Sequence, residues 1–245
     1  MQTVSSNRGS HGKSAWAGIV FAVLYIGGVF VVGSTPGDID KDGVNKSPSA
    51  LTTAWRDFYS DSGNRWAIII GAFILIVAAF TLVVFANEIR QRLVDAGAPG
   101  AAQLAFAASL LFAAATMAGA TAMAWIPITK QFGNSALPEG EINYLTNVLG
   151  YGFMLMGGGV SAAVLLVISG RASVRTHVLP AWLGWAGVVS GIVVFFLSVF
   201  FLPMILFALW SIATAIIFLR RPPAALSGTL APELEYGDSR TRSIA

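Results

Sequence analysis

Between Ala181 and Leu219 the chain runs for 39 residues without a charged side chain or a histidine. As one helix this run would measure about 58 Å at ~1.5 Å per residue, close to twice the ~30 Å hydrocarbon core of a bilayer. It therefore crosses twice, and Pro203 near its midpoint marks the reversal. Arg171 and Arg175 before the run, and Arg220 and Arg221 after it, then share one side of the membrane.

The same reasoning extends to the whole chain. Only 11% of the 245 residues are charged, against 56% hydrophobic, and mean hydropathy is +0.72. Soluble domains carry roughly a quarter charged residues, so this chain has too few to cover a globular surface. The expected fold class is all-α membrane: six transmembrane helices in three hairpins, with spans at about 15–33, 66–86, 101–125, 144–169, 182–201 and 203–219. Val31 and Gly33 also resemble a signal-peptide cleavage site. The apolar run before them exceeds the usual ~7–15 residues of such a peptide, and it is read as a span. Residues 1–14 and 220–245 are polar and read as disordered cytoplasmic ends.

Basic residues set the orientation. Arg8, Lys13, Arg90, Arg92, Arg171, Arg175, Arg220, Arg221, Arg240 and Arg242 fall on one side, and Lys41, Lys46, Arg56, Arg65 and Lys130 on the other. The richer side is cytoplasmic by the positive-inside rule, so both termini are cytoplasmic. The net charge of +3 is explained by this asymmetry, and no nucleic-acid partner is expected. The bilayer is the first partner, with a membrane-protein partner or a second copy of the chain next. Gly187 and Gly191 supply a Gly-x-x-x-Gly spacing that suits helix association. Alanine-rich span three and glycine-rich span four are expected at the bundle centre. Phe195, Phe196, Phe200, Phe201, Phe207 and Phe218 are expected to face lipid.

The densest polar stretch is Trp55 to Trp66. After Pro48, the apolar residues Leu51, Ala54, Trp55, Phe58 and Tyr59 fall on one helical face, which predicts an amphipathic helix lying in the outer interface, aromatic face down. The Asp61-Ser62-Gly63-Asn64 turn ends it, with Ser62 or Asn64 capping the next helix. Arg56, Asp57, Asp61, Asn64 and Arg65 form a candidate ligand site for a lipid headgroup or an anionic solute. The competing role is structural: Arg65 and Trp66 anchor span two while Asp61 and Asn64 make the turn. Glu139, Glu141 and Asn143 in the second outer loop are placed to pair with the arginines.

A second candidate is a metal site at Asp38, Asp40 and Asp42. These match the first half of a calcium loop, but Lys46 stands at its ninth position and Ser49 at its twelfth, where a bidentate Glu belongs. A solvated acidic loop is the plainer account. A third candidate is a cavity for a neutral solute lined by Gln103, Thr116, Thr121, Thr146, Asn147 and Tyr151. Such residues more often bond to their own helices. Met154 and Met156 nearby are read as packing.

No Asp, Glu, Lys, Arg or His lies within a proposed span, which argues against proton relays, ion-coupled carriers and voltage sensors. Zero cysteines removes thiol chemistry and cysteine-ligated metals, and both histidines flank the membrane, so no cofactor is expected. No nucleophile elbow, Walker loop or zinc-protease motif occurs in a suitable context, so the chain is not read as an enzyme. The run Phe58-Tyr59-Ser60-Asp61-Ser62-Gly63-Asn64-Arg65 leading into span two resembles one in small, uncharacterised multi-pass membrane proteins of actinobacteria. The resemblance covers roughly residues 15–92 and implies a bacterial plasma-membrane location without an activity. A structural, accessory or partner-binding role is the leading expectation. A facilitator for a neutral or lipophilic solute and an outer-surface cation sensor are the alternatives.

Overall fold

The computed structural model describes residues 11–37, 46–133, 136–198, 200 and 202–220, and every regular element among them is helical. In chain order these are α1 (His11–Val32), α2 (Pro48–Ser60), α3 (Ser62–Asp95), α4 (Pro99–Gly133), α5 (Gly140–Gly152), α6 (Gly159–Thr176), α7 (Ala181–Leu197) and α8 (Leu202–Arg220). A π-helical turn, Phe153–Gly158, joins α5 to α6 so that they continue as one rod. Four helices are long and apolar enough to cross a membrane: α1, α3, α4 and the α5–α6 rod. The shorter α7 and α8 are equally apolar along their length.

Several helices outrun the spans expected from sequence. Helix α1 begins at His11, within the segment read as disordered; the remainder of that segment, and the tail after Arg220, lie outside the described residues. Helix α3 continues through Asn87–Arg92, read from sequence as a connection, because no glycine or proline interrupts it before Gly97. There it closes by a Schellman arrangement: Gly97 N–H donates to Val94 O, Ala98 N–H donates to Leu93 O, and Gly97 takes the left-handed φ of +81°. Pro99 then occupies the first position of α4, where its missing N–H costs nothing. Helix α4 runs through Pro127 to Gly133, into the segment read from sequence as the loop between spans three and four. Helix α7 ends at Leu197 and α8 begins at Leu202, just ahead of Pro203.

The long helices neighbour one another in the order α1, α3, α4, α5–α6, α7 and α8, with α8 returning to α1. Aromatic rings fill the middle. Phe21 and Tyr25 of α1, Phe112 of α4 and Phe207 of α8 meet with centroids 5.2–5.9 Å apart. This corrects two sequence expectations: Phe207 and Phe218 are buried, whereas Phe195, Phe196 and Phe200 do face outward. Glycines let neighbouring backbones close up. A β-carbon on Gly119 of α4 would stand 2.5 Å from Gly150 O of α5. Gly187 and Gly191 are likewise consumed inside the chain, Gly187 against Trp210 of α8 and Gly191 against Val167 and Ala163 of α6.

The exterior is hydrocarbon. Along the middle of α3, Trp66, Ile70, Phe73, Val77, Phe80 and Val84 are exposed, a stripe at helical spacing on the face turned away from the bundle. Trp182, Trp185, Val189, Ile192 and Phe196 repeat the pattern on α7. Contiguous apolar surface of this extent suits a lipid solvent and not water.

Candidate functional site

Helix α2 forms where the sequence places it. Ser47 caps it, its Oγ accepting from Ala50 N–H at 3.3 Å, and Pro48 leads the first turn. Its aromatic face, however, meets protein. Trp55 and Tyr59 are buried, and the Trp55 ring lies against Tyr144 of α5 with centroids 6.1 Å apart. The two backbones touch: a β-carbon on Gly140 would run into the Thr52 carbonyl.

The junction of α2 and α3 uses most of the polar stretch. Asp61, extended between the helices, caps α3 by accepting from Asn64 N–H at 2.9 Å. Asp61 therefore takes the role expected of Ser62 or Asn64. The Asn64 amide donates to Phe58 O at 3.1 Å. Arg65 is buried against protein: Nη1 donates to Tyr59 O and Ser60 O, both at 2.7 Å, and Nε donates to Gln131 Oε1 of α4 at 2.9 Å. These carbonyls are the ones a helix leaves unpaired at its C-terminus, where a cation is also favoured by the dipole. The candidate ligand residues thus divide. Asp61, Asn64 and Arg65 are occupied in holding α2 onto α3 and α4, while Arg56 and Asp57 stand exposed on the outward edge of α2. Trp66 is exposed beside Phe132.

The outer acids do not pair with these arginines. Glu139 and Glu141 are exposed around the start of α5, and the ion pair among the described residues joins Glu88 to Arg92 instead. The proposed metal residues Asp38, Asp40 and Asp42 lie outside the described residues.

Beneath α2 lies a buried polar layer. Asn143 and Asn147 share one face of α5 with Gly140, and both are fully enclosed. The Tyr59 phenol is pushed above its usual range by burial, so it stays neutral. Trp55 Nε1, both amide atoms of Asn143 and Asn147 Nδ2 have no hydrogen-bond partner among the described residues, nor do Thr116 Oγ1 on α4 and Tyr25 Oη on α1. An unmet buried group costs about 1–3 kcal/mol. Of the cavity residues expected from sequence, Thr116 and Asn147 are buried. Tyr151 donates to Val32 O at 3.4 Å, Thr146 donates to its own helix at Ile142 O, and Gln103 and Thr121 face outward. Met154 packs on Gly119 and Met156 is exposed.

No family model, curated protein or solved structure matches this chain.

At the opposite end of α3, Glu88 is 1% exposed, accepts from Arg92 Nε at 2.7 Å and accepts from the Ser14 hydroxyl of α1. Arg92 also donates to Phe218 O of α8 at 3.3 Å and lies over the Phe218 ring at 4.1 Å. The group ties α1, α3 and α8 together. The only sequence signal for it is the four-residue spacing of an acid and a base, which surface helices share.

Proposed function

We propose that this chain is a plasma-membrane protein that crosses the bilayer six times with both termini in the cytoplasm and binds a partner protein through its outer face. Helices α7 and α8, of 17 and 19 residues, approach the core thickness and complete the six spans beside the four longer helices. The observation that carries the partner-binding role is the fixing of α2. This helix adds no span, yet Arg65, Asn64, Asp61 and the Gly140 contact hold it rigidly, with Thr53, Arg56, Asp57 and Ser60 exposed along its outer edge. Preorganised polar surface of this kind lowers the entropic cost of binding. Close packing of Gly119 on Gly150, with aromatic filling of the ring, counts against a solute path between α4 and α5.

Copurification from native membranes tests the role. A specific partner is expected with the unaltered chain and lost on Arg56→Ala/Asp57→Ala substitution. Transport of a neutral solute by the purified protein alone in vesicles would overturn the proposal. It would support a second function, a facilitator using the unpartnered Asn143, Asn147 and Thr116.

A further inference from the structure

Helix α6 leaves one face uncovered by its neighbours, along which Val164, Val167, Ile168, Arg171 and Arg175 recur at helical spacing. Grooves run along both sides of that face. One, of about 560 Å³, lies between α6 and the start of α4, with Leu104 and Ile168 in its wall and Arg171 and Arg175 at its rim. The other lies between α6 and α7, holds about 350 Å³ beside Trp185, and shares Val167 and both arginines with the first. It is continued along the same helix pair by an apolar hollow of about 350 Å³ against Val164, Ile192 and Phe196. From Arg171 to Val164 is seven residues, or about 10 Å of hydrocarbon-lined depth at ~1.5 Å per residue.

The two arginines are exposed one helical turn apart and make no ion pair among the described residues. Asp95, the acid nearest the groove in sequence, is also exposed and unpaired with either. Among the described residues the rim therefore carries two positive charges with no ion-pair partner, above two apolar channels that part around a single helix.

We propose that α6 seats one anionic phospholipid, its phosphate held between Arg171 and Arg175 and its two acyl chains lying in the grooves on either side. Guanidinium groups match phosphate oxygens in charge and fork geometry. Trp185 stands where indoles favour the boundary between headgroup and chain. The site is separate from the outer face of α2, and it rests on the membrane-spanning reading above.

The test offers the purified full chain, in neutral detergent, phosphatidylglycerol or phosphatidylcholine of matched chain length, with bound lipid counted by native mass spectrometry. The unaltered chain takes up phosphatidylglycerol preferentially. Arg171→Ala/Arg175→Ala weakens that binding about twenty-five-fold, at roughly fivefold per charge near the headgroup. Arg171→Lys/Arg175→Lys keeps most of the preference. Val164→Trp, which fills the α6–α7 groove and leaves the charge alone, weakens both lipids. Equal uptake of the two lipids by the unaltered chain overturns the proposal, as does undiminished phosphatidylglycerol binding by the double alanine variant. Alkaline carbonate washing of cell membranes separates the two levels. Release of the chain overturns its membrane placement, whereas retention without lipid preference overturns the lipid seat alone.

Discussion

Arg65 and Arg92 are the side chains on which most of the polar architecture depends, and each is held by a different logic. Arg65 has no carboxylate partner among the described residues; it satisfies the last carbonyls of α2 and reaches α4 through Gln131. Hydrogen bonds to a charged group contribute about 1.5–3 kcal/mol each, with losses that do not add fully. Arg65→Ala is expected to cost about 2–4 kcal/mol in detergent-titrated unfolding, and Arg65→Lys to recover only part, because an ammonium lacks the planar fork. Arg92 neutralises a carboxylate that is almost wholly enclosed. Removing one member of a buried pair costs about 3–5 kcal/mol, whereas replacing both with apolar residues is often neutral. Arg92→Leu alone should therefore destabilise strongly and Glu88→Leu/Arg92→Leu much less. A double-substitution cycle giving additive effects would refute the pairing. Little of this was legible from the residues themselves. Arg65 beside Trp66 has the composition of a membrane anchor, and only the return of α2 onto α3 turns it into a cap.

At the scale of elements, α2 shows how an amphipathic helix is ambiguous about what covers it. Its apolar spacing, its serine cap and its leading proline were all readable, and the helix begins at Pro48 accordingly. The same face suits lipid or protein, and here α5 takes it through Gly140, Tyr144 and the buried asparagines. Gly140→Val is expected to lift α2 from α5 while the long helices persist. Hydrogen exchange should then rise in α2 amides and stay unchanged in α3 and α4. Uniform exposure across all three would show that α2 is integral to the core. The Gly187/Gly191 spacing is instructive in the same way, since its small residues serve the α6–α7 and α7–α8 contacts inside one chain. A spacing that permits close approach does not say which helix approaches.

For the molecule as a whole, the absence of cysteine makes membrane topology directly testable, because any cysteine introduced is the only one. Ser60 on the outer edge of α2 and His177 between α6 and α7 are both exposed. With six crossings, Ser60→Cys is expected to react with a membrane-impermeant maleimide in intact cells, and His177→Cys only after permeabilisation. Labelling of both in intact cells would refute the assigned sidedness. The sequence alone determined that the chain is helical and built for a hydrocarbon solvent, because an uncharged run of 39 residues without the polar alternation of barrel strands leaves the backbone the helix as its way to meet its hydrogen bonds in lipid. The tertiary structure decided which helices meet, that Phe207 and Phe218 turn inward, and that the polar stretch from Trp55 to Trp66 serves chiefly as a joint. Helix pairing in an apolar solvent is selected by the fit of small and large side chains and by a few polar contacts distant in sequence. Hydropathy is blind to both.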